Sequence, residues 1–573
     1  MSRMKWWGWG DEGVSFTHRD KPALGPFLER HIALDAERVT SRPVAFGQLR
    51  IDEPSLPADL GEALERAVGE GRVSLDPLDR VVHARGKSLR DLVLARGGDI
   101  GRLPDVVVRP RDEAAAAAVV QAAVDFDAVV IPFGGGTSIS GSLEAPADEM
   151  RAVISVDLGD MDRVLDIDAD SRLARVQAGA LGPSLEEQLN ARGWTLGHFP
   201  DSFTHSTLGG WVATRSSGMQ SDRYGDVADL TRAVRMATPA GMLATRAVPS
   251  TSTGPSVREM VLGSEGRLGI ITEATVHVHR LPERRTILGY LFPSWADGLE
   301  AMNEIAAGEA TPSVTRVSDA PETRFSFATK TGNSLLDRLQ SKALSTYLEK
   351  RRRFDLDAMC LAFIGYEGSK DHVARQRKLV GRIVGRHGGL CIGTGPGALY
   401  DQKKFDTPYI RDYLLDRGAL GDVSETSAPW SVLPTLYDNV TAAARGAFSD
   451  LGVKGYIMCH LSHSYHSGAC LYFTFAFKPT GRGAPLEQYD VVKSAIQQTF
   501  IDSGATLSHH HAVGTEHAAW LQQDLSPPGV EMLRALFDGM DPGANLNPGK
   551  IVAAEDGSPS APVESYSPGT RSR

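Results

Sequence analysis

Cysteine is scarce: the 573 residues contain four, Cys360, Cys391, Cys459 and Cys470. No two have CxxC spacing, which excludes a zinc knuckle and a thioredoxin-like pair, and four are too few for a disulfide scaffold. They read as small buried hydrophobes in a reducing compartment. Excess positive charge is missing too. The formal net charge is −10, and nucleic acid is therefore not an expected partner, because phosphate neutralisation needs a basic surface. The start, MSRMKWWGWGDEG, lacks the apolar stretch of a secretory signal. The longest small-apolar run, Ala114 to Val124, falls short of the roughly 20 residues that cross a bilayer. A soluble, cytoplasmic protein is expected. No HExxH, no Walker loop and no Rossmann GxGxxG occurs where a nucleotide loop would sit, so none of those chemistries is indicated.

What is present is length and alternation. The chain is too long for one hydrophobic core, so two or more domains are expected. Residues 1–99 mix short polar helices with turns, as in Leu60–Val68 and Ser88–Ala95. From residue 100 the texture changes: Asp105–Val108 predicts a strand, Ala114–Phe126 a helix opened by acids, and Ala128–Ile131 a second strand. Strands are predicted over Ala152–Asp157, Leu173–Ala178, Ala233–Thr238 and Ala274–Val278, and a first domain closes near residue 282. Residues 283–495 form a second domain, with helices at Trp295–Ala307 and Leu335–Arg353 and strands at Cys360–Tyr366 and Cys470–Phe477. Residues 496–554 return to the first domain's chemistry. Residues 555–573 are Ser, Pro and Gly with little apolar content, the composition of a disordered tail.

The sharpest local feature is Pro132-Phe-Gly-Gly-Gly-Thr-Ser138, directly after a strand. Consecutive glycines let backbone amides approach an anion and adopt positive φ. Read alone, the loop serves equally as a pyrophosphate cradle or a plain turn. Three further clusters of small, hydroxylated and glycine residues follow: His198 to Gly210, Trp211 to Gly218 and Gly263 to Ile271. Such clusters suit a long, polar, buried ligand.

These four segments, in this order, resemble the flavin domain of the vanillyl-alcohol oxidase superfamily. The fold class the resemblance implies is α+β: a two-subdomain FAD-binding domain (100–282) and a cap domain (283–495) with an antiparallel sheet flanked by helices. It implies that Pro132, Phe133, Gly134, Gly135, Gly136, Thr137 and Ser138 wrap the FAD pyrophosphate. Asp201, Ser202, Thr207, Thr214, Arg215, Ser216 and Ser217, with Glu265, Gly266, Leu268, Gly269 and Ile271, are implied to line the rest of the cofactor. Thr137 stands where relatives with covalent flavin carry histidine, so FAD is expected to be non-covalent.

Lys5-Trp-Trp-Gly-Trp-Gly10, Ser424-Glu-Thr-Ser-Ala-Pro-Trp430, Gly468-Ala-Cys-Leu-Tyr-Phe473 and Ser508-His-His-His-Ala-Val-Gly514 together resemble the alkyldihydroxyacetonephosphate synthase family, over almost the whole chain. That family exchanges the acyl group of acyl-dihydroxyacetone phosphate for a fatty alcohol, in the service of ether lipid synthesis. It implies Tyr472 as proton shuttle, His198, His509, His510 and His511 as catalytic histidines, Arg411 as the phosphate ligand and Arg316 as a second active-site arginine. The sequence departs from the family pattern at His460 and His466, where Arg and Asp are usual, and at Thr204, where an acid is common.

Taken as residues, these positions have plainer readings. Tyr472 in an aromatic strand suits a core, and Arg411 suits a surface pair with Asp412 or Asp416. Arg316 within an apolar strand is costly unless paired. In an extended segment His509 and His511 would share a face, with His510 pointing away. His460, His463 and His466 alternate faces on a strand, which argues against a shared site, and no metal is expected. The Leu335–Arg353 helix ends in Lys350-Arg-Arg-Arg353 and reads as a packed helix with a solvated basic end, or as a peripheral membrane contact. A lipid-like substrate and a homodimer are the expected partners. The rival function is a flavin-linked oxidoreductase acting on a D-2-hydroxy acid or another alcohol. Against it stands Ser464 to Tyr472, which lacks the His-x-Gly-Asp-Gly-Asn segment of such dehydrogenases.

Overall fold

The computed structural model describes residues 4–331, 346–481 and 483–552. The expected tail at 555–573 and most of the expected Leu335–Arg353 helix lie outside the described residues. The alanine-rich stretch forms the helix Glu113–Asp125. Asp112 caps it by accepting the Ala115 N–H at 2.9 Å, and alanine carries little entropic cost in a helix. The flanking strands, Val106–Val108 and Val129–Phe133, both pair parallel with Val153–Asp157, which lies between them. The crossover thus leaves a slot that the next strand fills. Val106, Val107 and Val108 are all buried, as a parallel strand covered on both faces requires.

A second sheet in this half is antiparallel, ordered Val164–Asp168, Leu173–Gln177, Ile270–His277, Thr231–Thr238, Gly241–Ala244. One continuous core joins it to the first sheet. Leu507, Leu521, Phe537 and Leu546 from the C-terminal segment sit in that same core. Asn547 donates its N–H to Val130 O at 2.9 Å, and Val130 returns the bond to Asn545 O at 2.7 Å.

The other half is a seven-stranded antiparallel sheet, ordered Leu390–Gly393, Arg284–Phe292, Cys360–Gly368, Val314–Ser318, Gly455–Ser464, Gly468–Phe477, Leu420–Pro429. Side chains on a strand alternate faces, and here the alternation sorts core from cavity. Leu471, Phe473, Phe475 and Phe477 enter a core shared with Tyr489, Val492 and Phe500 of the helix Pro485–Asp502. Tyr472, Thr474 and Ala476 point the other way, into a cavity.

The first hundred residues distribute themselves over both halves. Leu60 and Leu64 join the first core, Leu89 and Leu92 the cap core, and Leu24, Leu28 and Ile32 pack on Tyr413 and Leu414. The cysteines are free, and three are buried. Cys391 corrects the expectation that all four are: it is exposed, because it lies on the sheet's outermost strand.

Burial lowers the pKa of His198, His279, His463 and His517 to about 4. These rings are neutral in the native state, whereas the unfolded chain protonates them near 6.5. As pH falls from about 6.5 towards 4, the unfolded state gains protons that the native state does not. Stability is therefore fully present above that window and is lost within it. For the fully buried His198 the loss is on the order of 3 kcal/mol. The melting temperature should fall across this window, and less steeply in His198→Gln. Parallel melting curves for the two proteins would refute the assignment.

Candidate active site

A cavity of about 550 Å³ lies between the two halves. At one end is the loop Gly134–Ser138. A Cβ on Gly134 would lie 2.3 Å from Thr207 Oγ1, and one on Gly135 would lie 1.6 Å from His205 O. Gly136 has φ +67°. The loop backbone is pressed against the turn at 205–207, and only glycine allows that approach. Thr207 itself caps the helix Leu208–Thr214 through Gly210 N–H.

Behind this loop, Glu265 is buried and accepts from Ser142 Oγ at 2.6 Å, Val513 N–H at 2.9 Å and Gly514 N–H at 2.9 Å. Burial raises its pKa. Asn547 donates to Ser142 O and Glu265 O at 2.9 and 2.7 Å. Its Oδ1 is buried with no hydrogen-bond partner among the described residues, and the residue lines the cavity. A glycine cradle, several hydroxyls and an orphaned amide oxygen fit a long polar cofactor such as FAD.

The middle of the cavity is organised by strand register. Tyr472 lies opposite Glu425 on one neighbouring strand and opposite His460 on the other. Directly opposed residues share a face, so the three form one row. Glu425 is buried and accepts from Ser508 Oγ at 2.6 Å and from the N–H groups of His509, His510 and His511 at 2.7, 3.1 and 3.0 Å. The imidazoles of His510 and His511 lie 3.5 and 3.4 Å from its oxygens. Burial opposes its charge, yet these histidines hold its pKa well below the usual carboxylate range. Burial lowers the pKa of both His510 and His511. Tyr472 moves the other way: burial first, then Asp201, Glu425 and Asp422, push its phenol well above 10. Proton shuttling by a phenolate needs the opposite shift. The row holds a neutral phenol beside imidazoles whose protonation burial disfavours.

Beyond this row the cavity turns apolar. The next rows along the strands are Met458–Thr474–Val423 and Tyr456–Ala476–Gly421, all lining the cavity. Four residues from His460 to Tyr456 correspond to roughly 13 Å of strand. Phe27, Leu28, His31 and Ile32 close this arm with Phe325 and Leu414. Tyr456 packs against Phe27 and His31 at ring distances of 5.1 and 4.6 Å.

The structure brings most of the expected residues to this cavity and moves a few away. Arg411 is buried, with Asp422 at 3.7 Å rather than Asp412 or Asp416 as its ion pair. Asp412 instead accepts Trp9 N–H at 3.0 Å and faces Lys5 Nζ at 3.5 Å, so the Lys5–Gly10 motif braces the helix carrying Arg411. Arg316 is paired, donating to Glu322 at 2.7 Å. The loop Pro132–Ser138, Asp201, Ser202, Thr207, Thr214, Ser216, Ser217, Glu265, Gly266, Gly269 and Ile271 line the cavity. Leu268 sits in the core, and the Arg215 side chain turns outward to Glu259 at 3.0 Å. His198 stands one layer back, holding Ser216 Oγ at 2.8 Å.

The His509–His511 segment is not extended. Its amides converge on Glu425, which sends His510 and His511 into the cavity and His509 to Tyr465 Oη at 2.5 Å. His460 and His463, dismissed on strand alternation, both line the cavity, because a register shift between Leu461 and His463 makes room for an extra residue. His466 does not line it. Glu322, Glu425, Asn547 and Tyr400 were not singled out in the sequence. Glu425 sits inside a quoted motif, and two acids, Asp422 and Glu425, in one strand-like stretch are the signal that could have marked it.

Residues 104–246 match the family model described as FAD binding domain, and residues 281–551 match that of FAD linked oxidases, C-terminal domain. The alkyldihydroxyacetonephosphate synthase of Dictyostelium discoideum is 36% identical over 575 residues, covering 96% of this chain and 93% of the relative. A solved alkyldihydroxyacetonephosphate synthase structure superposes with a TM-score of 0.83 at 34% identity, covering 95% of this chain and 98% of its own. The 4-ethylphenol oxidase of Gulosibacter chungangensis, at 14% identity and a TM-score of 0.65 over 88% of this chain and 99% of its own, shares the fold. Gly135→Ala should abolish flavin retention, read as the ratio of 450 to 280 nm absorbance after purification, with the protein still folded. A variant as yellow as the wild type would remove the loop from the cofactor site.

Proposed function

The chain belongs to the alkyldihydroxyacetonephosphate synthase family of FAD-linked enzymes, and we propose from that premise that it exchanges the acyl group of acyl-dihydroxyacetone phosphate for a fatty alcohol. The observation that carries this reading is the single cavity that joins a glycine cradle, an acid–base row and an apolar-lined arm in sequence. An oxidoreductase of small hydroxy acids has no use for the apolar arm.

In this reading Arg411 binds the substrate phosphate. Its ion pair with Asp422 is long, which leaves guanidinium donors for phosphate oxygens. Arg316, engaged by Glu322, adds fixed positive charge without being free to fork onto the phosphate. Tyr472 donates a hydrogen bond from its phenol, and His510 or His511 accepts a proton from the carbon beside the substrate carbonyl and returns it to that carbon once the ether bond has formed. Glu425 stabilises the imidazolium that results. The apolar arm receives the hydrocarbon chain and excludes water. FAD bound along Pro132–Ser138 would supply a ring able to carry the dihydroxyacetone-phosphate unit during the exchange. With Thr137 in the cradle the flavin is held without a covalent bond. The proposal extends to a cytoplasmic homodimer that meets its lipid at a membrane surface, which sedimentation and vesicle flotation test.

The direct experiment is anaerobic incubation of purified protein with palmitoyl-dihydroxyacetone phosphate and hexadecanol, reading palmitate and ether product by mass spectrometry. Both should appear in equal amounts, and acid precipitation should leave the flavin in the supernatant. No exchange, together with flavin bleaching by D-lactate or another hydroxy acid, would move the protein to the oxidoreductases. Tyr456→Ala should extend the arm and raise the preference for longer over shorter alcohols by about tenfold. An unchanged chain-length profile would place the chain elsewhere.

A further inference from the structure

Two carboxylate–imidazole pairs flank Tyr472, and only one belongs to the histidine loop. The other is His460 with Glu322. The His460 and Tyr472 rings stack at 4.8 Å with an interplanar angle of 20°. His460 Nδ1 lies 3.0 Å from Glu322 Oε1, and the same oxygen accepts from Arg316 Nη2 at 2.7 Å. Arg316 Nη2 also lies 3.1 Å from His460 Nδ1. A guanidinium has no acceptor and a carboxylate no donor. The 3.0 Å contact with Glu322 is a hydrogen bond when Nδ1 carries the proton, and that tautomer, with Arg316 also donating to Glu322, leaves the lone pair on Nε2. That ring lines the cavity. Glu322 stays ionised: burial pushes its pKa up, but His460 and Arg316 pull it down to about 2. A neutral imidazole backed by an ionised carboxylate is the arrangement of a general base.

Position assigns the partner. His460 shares a strand face with Met458 and Tyr456, which line the apolar arm. His510 and His511 come instead from the loop bound to Glu425, across Tyr472 from His460. A long-chain alcohol whose tail fills the arm brings its hydroxyl to the row of Tyr472, where His460 stands on the strand that carries Met458 and Tyr456.

We propose that His460, oriented by Glu322, is the base that accepts the hydroxyl proton of the incoming alcohol. This rests on the exchange reaction proposed above. The ester C–O bond breaks, and the carboxylate leaves with its electron pair. The alcohol oxygen then supplies the pair for the new C–O bond while its O–H proton passes to Nε2. The imidazolium, stabilised by Glu322, returns the proton to solvent or to the departed carboxylate. No oxidant or reductant is consumed.

The test separates the two halves of the reaction. Palmitate release from palmitoyl-dihydroxyacetone phosphate is timed without alcohol, and hexadecanol incorporation is timed with it. His460→Gln should slow incorporation about 100-fold, with a far smaller effect on acid release and little change in the KM for hexadecanol. Glu322→Gln should show the same asymmetry, more weakly. Imidazole added to His460→Gly should restore part of the incorporation and leave acid release unmoved. Flavin content and melting temperature establish that each variant is folded. Equal loss in both halves, no loss in either, or a rise in KM alone would overturn the assignment. A wild-type protein that releases no acid would overturn the parent reading instead, and the two failures are thus distinct.

Discussion

Two buried carboxylates, one from each half of the molecule, hold the segment from Ser508 to Gly514. Glu425, on the edge strand of the cap sheet, takes the N–H groups of His509, His510 and His511. Glu265, from the glycine-rich half, takes those of Val513 and Gly514. A buried charge is tolerated only when its lone pairs are satisfied. Each carboxylate therefore requires this loop, and the loop has no freedom to leave. His510 and His511 are fixed over the cavity by the solvation needs of two acids rather than by a strand or helix of their own.

The register of the cap sheet completes the site. Once Tyr472 faces Glu425 and His460, period-two alternation puts Phe473, Phe475 and Phe477 into the core. It also puts Thr474, Ala476, Met458 and Tyr456 along the cavity. A slip of one residue would bury Tyr472 and expose a row of phenylalanines, so the hydrophobic core enforces the register on which the acid–base row depends. Polar and apolar ends of the cavity are thus two stretches of one sheet face.

Much of this was legible in the chain. The helix Trp295–Ala307 has the bounds its pattern predicts, because Ser294 caps it and its apolar residues recur at helical spacing. Tyr472 on an alternating strand was readable, and so was the need of Arg316 for a partner. The partner itself, Glu322, is only six residues on, but it sits on a different element and gave no periodic signal. His460 and His463 were misjudged because strict alternation puts residues three apart on opposite faces. The inserted residue that relaxes the alternation follows from pairing with Gly468–Phe477, which no local rule predicts. Whether the histidine triplet is extended is not set by its own residues, because its conformation depends on an acid more than eighty residues away.

By itself the sequence determined the local matters: where chain direction reverses, which strands alternate, which loop is glycine for lack of space, and which family pattern the ordered motifs resemble. Those are short-range facts, set by sterics, propensity and capping within a few residues. The tertiary structure decided which side chains meet. It set Glu322 against Arg316 and His460, Glu425 beneath the histidines, Asp422 rather than Asp412 beside Arg411, and the helix Leu24–Ile32 as the wall of the apolar arm. These choices minimise the cost of burying charge and apolar surface over the whole molecule, and that balance exists only once distant segments have been brought together.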